Sequence, residues 1–234
     1  MAKFIVTQEF WELFPDAHFG IVLAKGLDNS GESSAEIKRT LNAANEASEE
    51  FTDAAVFSEN PAVAVWRAAY QKFKTKKGAR SSVENLLKRV SKGNNIRSIN
   101  PLVDLYNSIS LSYGLPAGGE DLDSFVGDMR LTLAKGGEDF IGIGEDHSEP
   151  CLPGEMAYLD DSGAVCRGWN WRDGQRTMLT AETKNAFLIV ESCVAEQEKS
   201  VIAGTSELSS LVNKHFGLDT VPIIIDKEHP EAEL

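Results

Sequence analysis

From Phe125 to Glu191 the chain is cut into short apolar runs, and that texture narrows what it can fold into. The runs DMRLTLA, EDFIGIG, EMAYLDD, AVCRGWNW and NAFLIVES are parted by Gly, Pro, Asp or Thr and read as strands. The sequence before them is helical in pattern. Ser33-Ser34-Ala35-Glu36 leads into IKRTLNAANEASEEF, Pro61 opens AVAVWRAAYQKF, SVENLLKRVSKG stops at Gly93, and Asn100-Pro101 opens LVDLYNSISLSYG. Val63, Trp66, Tyr70 and Phe73 fall at helical spacing and read as core. A last helix, VAEQEKSVIAGTSELSSLVNKHFG, is expected to be interrupted at Gly204 and capped by Gly217. The opening segment reads as two strands, FIVTQEF and FGIVLAKGL, broken at Pro15-Asp16. VPIIID reads as a final strand, followed by an acidic tail, KEHPEAEL, expected to fray. Helices first, sheet second and a helix to finish predict one α/β unit with an α+β tendency, a mixed sheet flanked by helices.

A chain of 234 residues can bury a substantial core without needing two. The first twenty residues carry Glu9, Glu12 and Asp16 and no long apolar run, which speaks against a secretory signal. No stretch approaches the roughly 18 apolar residues of a membrane span, so a cytoplasmic protein with no membrane partner is expected. Cys151, Cys166 and Cys193 are odd in number and lack CxxC spacing, and the four histidines form no i, i+4 pair. Neither a disulfide framework nor a metal site is suggested, and no cofactor is expected.

A net charge of −13 argues against general nucleic-acid binding, DNA included. Its distribution is uneven. Between Arg67 and Arg97 ten basic residues face one acid, Glu84, a span of +9 that leaves −22 for the rest of the chain. Segregation on that scale could give one positive face suited to a phosphate backbone, or simply a solvated helical pair. Lys74, Lys76, Lys77 and Arg80 are the candidate RNA contacts.

Four stretches are over-specified for a core. In RSINPLVDLYNS, Asp104 and Asn107 share one side of an apolar helix, where they hold either a structural network or a ligand. Asp104 reads as the structural member. In LPAGGEDLD, Gly118 and Gly119 would let a ligand approach the main chain, although a plain turn is the default and no P-loop follows. CRGWNWRDGQRT combines Trp169, Asn170, Trp171 and Arg172. In a strand the two tryptophans would share one face and Asn170 and Arg172 the other, a pattern that suits stacking on a ring beside an anion. A tryptophan pair under the final helix is the alternative. Last, Glu191 ends the apolar run of FLIVES, where a carboxylate needs a partner: a buried arginine, a recognised hydroxyl or ammonium, or an acid–base role.

Taken together, Arg97-Ser98-Ile99-Asn100, VDLYNSISLSYGLP, GGEDLD, GEMAYLDDSG and the T-K-N-A-F-L-I-V-E segment resemble the B3/B4 module of the phenylalanyl-tRNA synthetase β subunit, over roughly residues 60–217. The chain looks still more like the free-standing proteins that keep this module without the synthetase, whose beginning WELFPDAHFGIVLAKGLDN also resembles. The resemblance implies residues 1–60 as a strand–helix extension, 61–217 as a single B3/B4-like domain, and 218–234 as a C-terminal strand and acidic tail. The synthetase module removes tyrosine wrongly esterified to the phenylalanine tRNA, so the resemblance implies a pocket for the 3′ end of aminoacyl-tRNA. Asn107 and Glu191 match the family's asparagine and its glutamate that reads the tyrosine hydroxyl; they are the implied catalytic pair. Gly118, Gly119, Trp169, Asn170, Trp171 and Arg172 are the implied substrate contacts.

The departures from the family are specific. Gly118 stands where the editing sites have a histidine, the threonine–alanine motif after the glutamate has no counterpart, and Trp169-Asn170-Trp171-Arg172 replaces a glycine-pair loop. Tyrosine specificity does not carry over. The expectation is hydrolysis of mischarged aminoacyl-tRNA in trans. The alternatives are a non-catalytic binder of tRNA or of an amino-acid-like small molecule, and a small-ester hydrolase without RNA.

Overall fold

The computed structural model describes residues 2–234. The larger of its two sheets has the order β10 (Glu231–Glu233), β1 (Lys3–Val6), β4 (Met129–Leu133), β5 (Met156–Asp160), β6 (Gly163–Arg167), β7 (Arg172–Asp173). It is antiparallel except between β1 and β4. The smaller sheet, β3 (Ala117–Asp121), β8 (Asn185–Glu191), β2 (Phe19–Lys25), β9 (Ile223–Ile225), is antiparallel throughout. Mixed α/β architecture is what the strand and helix patterns predict, with two sheets where one was expected.

Strand β8 shows why the sheets stack. Its side chains alternate between faces, and six of its seven residues are buried, so neither face meets water. Phe187 and Ile189 join Phe19 and Ile21 against Phe4, Met129, Leu131 and Met156 of the larger sheet. Ala186, Leu188 and Val190 turn the other way, beneath α2 (Ala35–Ala47), α5 (Pro101–Tyr113) and α6 (Glu198–Phe216). Each fully buried Phe, Leu or Ile contributes roughly 1.5–3 kcal/mol from removal of its surface from water. Three shorter helices, α1 (Gln8–Leu13), α3 (Pro61–Ala69) and α4 (Ser82–Val90), close the space between the sheets with Phe10, Val63, Trp66, Val83 and Leu87.

The helix starts follow their capping residues. Ser34, Ser81 and Asn100 accept backbone N–H bonds three residues on, and Pro61 and Pro101 occupy first-turn positions. Gly114 and Gly217 end α5 and α6 in left-handed geometry.

Several expectations are corrected. Only FIV of the opening run is strand; Gln8–Leu13 is helical. EDFIGIG is not a ladder strand, contributing one isolated bridge from Gly142 to Gly174. LPAGGEDLD is not a turn, because Ala117–Asp121 adds to the edge of β8. Helix α6 runs unbroken through Gly204, which instead lets Ile109 and Tyr113 approach closely; a Cβ there would meet both at 3.3 Å. The acidic tail is not frayed: Glu231–Glu233 pairs with β1, and Lys3 reaches Glu231 at 2.6 Å.

Candidate functional site

Strands β3 and β8 and helices α4 and α5 wall a cavity of about 210 Å³ that opens between the sheets. Asn107, Gly118, Gly119, Asn170, Trp171 and Glu191 all line it. Asn107 comes from the buried middle of α5, one turn beyond Asp104. That aspartate is structural: its carboxylate accepts from Ser33, Ser98 and the Ile99 backbone N–H, pinning two loops to the helix. Asn107 has no side-chain partner among the described residues and lies open to the cavity.

Glu191 is 2% exposed and carries the densest hydrogen bonding in the site. Trp169 Nε1 donates to its Oε1 at 2.9 Å, the Tyr158 hydroxyl donates to the same oxygen, and Asn170 Nδ2 donates to Oε2. Ser82 N donates to Asn170 Oδ1 at 3.3 Å, which fixes the Asn170 amide with its NH₂ toward the carboxylate. Burial pushes the Glu191 carboxyl up to about 7, against the opposing pull of these three donors. A carboxylate offers about four acceptor positions, so one on Oε2 is left for a ligand.

The loop between β6 and β7 creates this arrangement. Gly168 and Trp169 both have left-handed backbone, φ +61° and +62°. For a residue as bulky as tryptophan that conformation is rare, with strain of roughly 1–3 kcal/mol. It overturns the expected strand alternation: Trp169 and Asn170, neighbours in sequence, both reach Glu191. Trp169 therefore does not line the cavity. Its indole is fully buried behind Glu191, with ring centroids of Phe14 and Trp66 at 4.8 Å and Phe10 at 4.9 Å. The N-terminal aromatic segment thus forms the back wall of the site. Arg172 is also outside the cavity, since the turn sends it to Glu145 at 2.9 Å, and its guanidinium lies 5.7 Å from the Trp171 ring centroid.

The basic candidates lie on the loop between α3 and α4, just before Ser82, Asn85 and Leu86 of the cavity wall. Lys74 and Lys77 are exposed. Lys76 is paired with Glu149, and Arg80 and Arg67 both turn to the buried Glu84, so the local positive charge is smaller than the residue count suggests.

Sequence reasoning missed Tyr158, Glu120 and Asp173, all of which line the cavity. Glu120 lay in a segment read as a turn, and Asp173 in the tryptophan stretch without being singled out; only the pairing of β3 with β8 puts Glu120 on the cavity face. Burial, and then the neighbouring Asp173 charge, hold Glu120 well above the usual carboxylate range. Among the described residues no group of three or more His, Cys, Asp or Glu is placed to hold a metal ion. No helix among them is long and apolar enough to cross a membrane.

Comparison with known proteins addresses the same region. Phenylalanine–tRNA ligase β subunits are similar over part of the chain: that of Latilactobacillus sakei is 33% identical over 102 residues, 42% of this chain and 12% of its own length. The Ruegeria pomeroyi subunit is 29% identical over 137 residues, 57% of this chain and 17% of its own. The chain thus spans less than a fifth of these relatives. In fold, an N-terminal fragment of the phenylalanyl-tRNA synthetase β subunit from Pyrococcus horikoshii matches with a TM-score of 0.50 at 13% identity, over 98% of this chain and 53% of the fragment. The B3/4 domain model matches residues 65–226, well over half the sequence, and the chain belongs to the B3/4 domain family.

Proposed function

We propose that the protein binds the 3′ end of aminoacyl-tRNA in the cytoplasm and hydrolyses the ester of mischarged tRNA in trans. The observation that carries this reading is the convergence of Asn107, Gly118, Gly119, Asn170, Trp171 and Glu191 on one cavity in a B3/4 domain. In this reading the free Asn107 amide and the Gly118–Gly119 backbone orient the ester or the attacking water. Trp171 bounds the amino acid, and the remaining acceptor position of Glu191 recognises it. Lys74 and Lys77 meet phosphates. No histidine lines the cavity and Glu191 is held by three donors, so the water is activated by the terminal hydroxyl of the tRNA rather than by a protein base.

The test is deacylation of a panel of correctly and wrongly charged tRNAs, wild type beside Asn107→Ala and Glu191→Ala. Selective hydrolysis by wild type, lost in both variants, is expected. Every charged tRNA surviving intact would refute catalysis. The same commitment of Glu191 favours a second reading, a non-catalytic binder. If tRNA still binds, with an affinity that falls steeply as salt rises, that reading takes over. Turnover of small aminoacyl esters, indifferent to neutralising Lys74 and Lys77, would point to a hydrolase acting without RNA.

A further inference from the structure

The cavity has a second acidic pole, remote from Glu191. On β3, Gly118 and Glu120 share a face and stand opposite Ile189 and Phe187 of β8. Glu191 is two residues beyond Ile189, so the glutamates are four strand positions apart, roughly 13 Å at about 3.3 Å per residue. Gly118 lies between them and leaves the lane open: a Cβ built there meets no atom within 4 Å. Glu120 is 7% exposed, lines the cavity, and its Oε2 has no hydrogen-bond partner. The Thr177 hydroxyl, fully buried beside it, is the nearest donor and favours the charged form, without forming a well-aligned bond to it. Asp173, on β7, lines the same cavity.

Thr177 and the more distant Arg176 charge offset this pole only in part, since burial and Asp173 outweigh them. None of the residues lining the cavity is Lys, Arg or His. Arg176, whose charge reaches Glu120, gives both terminal nitrogens to Asp160 at 2.8 and 2.9 Å. A buried carboxyl with no cation beside it is unfavourable, and a second acid next to it adds to that. A compact cation with several N–H donors relieves both. A divalent metal fits poorly, because two carboxylates fall short of the six to eight oxygen ligands typical of calcium.

We propose that Glu120 and Asp173 form the receptor for a primary ammonium group, so that the cavity takes an amine laid along β3 and β8 toward Trp171 and Glu191. This deepens the aminoacyl reading and rests on it for the identity of the amine: the α-ammonium of an aminoacyl group, or an ammonium on its side chain.

Isothermal titration with three probes separates these. L-phenylalaninamide carries only an α-ammonium, Nα-acetyl-L-lysinamide only a side-chain ammonium, and N-acetyl-L-phenylalaninamide neither. Wild type is expected to bind one of the amines about tenfold or more tightly than the neutral probe. Glu120→Gln should abolish that preference and leave the neutral probe unaffected. Asp173→Asn, at a more exposed position, should weaken it severalfold and keeps the test valid if the Glu120 variant folds poorly. Equal binding of all three probes, no binding of any at about 10 mM, or an undiminished preference in a folded Glu120→Gln protein would each overturn the proposal. Amine binding lost in Glu120→Gln, with wild type inert toward charged tRNA, would retire deacylation and leave the ammonium receptor standing. Deacylation indifferent to Glu120→Gln would do the reverse.

Discussion

Glu191→Gln tests whether the carboxylate at the end of β8 is held in the folded protein against its own desolvation. Its pKa rises from the usual 4.5 to about 7 on folding, because burial outweighs the three donors around it. A folded carboxyl with a raised pKa binds its proton more tightly than the unfolded one, so stability falls as pH rises. The penalty is absent below about pH 4.5 and complete above about pH 7. At 1.36 kcal/mol per unit the full effect is about 3 kcal/mol, of which about 2–3 kcal/mol falls between pH 5 and pH 8. The glutamine amide has no such dependence. It also turns an NH₂ toward Asn170 Nδ2 or toward the Trp169 and Tyr158 donors, a mismatch of about 1–3 kcal/mol at every pH. That fixed cost cancels when each protein is compared with itself, and so does the contribution of Glu120, present in both. The assay is urea unfolding at pH 5 and pH 8 followed by tryptophan emission. Wild type should lose about 2–3 kcal/mol more than the variant across that interval. Parallel losses would refute a desolvated, proton-binding Glu191.

Two further substitutions probe the scaffold. Gly119→Ala places a Cβ 2.6 Å from Leu188 Cδ2 and 3.0 Å from Leu179 Cδ1 and should destabilise by about 1–3 kcal/mol, whereas Gly118→Ala enters open space and should change stability by less than about 1 kcal/mol; urea midpoints decide. Arg167→Ala leaves Glu155 buried without its bidentate partner (3.0 and 2.7 Å) and should lose about 3–5 kcal/mol, part of it recovered when Glu155→Ala is added.

Helix boundaries were legible because they are local: a capping Ser or Asn, a first-turn Pro and a terminal Gly act within a few residues. The apolar run of β8 was legible too, and with it the anomaly of a carboxylate closing an apolar strand. The edge strand β3 was not, since two consecutive glycines carry no side chains to show a period of two, and their strand state depends on pairing with residues far along the chain. The tryptophan loop was misread for a different reason. Left-handed geometry at Trp169 defies the preference of an isolated chain, and an aromatic enclosure from residues 10, 14 and 66 holds it there. Nor does a count of basic residues reveal which of them already face an acid; Glu84, the lone acid of that span, takes two of its cations.

Strand β1 sits between β4 and β10, so one of its edges is filled by residues more than 220 positions away in the chain. During synthesis at roughly 5–20 residues per second, that edge would wait on the order of ten seconds or more for its partner to leave the ribosome. Throughout that interval the half-buried FIV segment presents unpaired backbone N–H and C=O groups to any extended chain nearby. The acidic residues of the returning strand, Glu231 and Glu233, close it with a charged rim. Shortening the C-terminus by a few residues would therefore be felt first in yield of soluble protein, well before it was felt in the cavity.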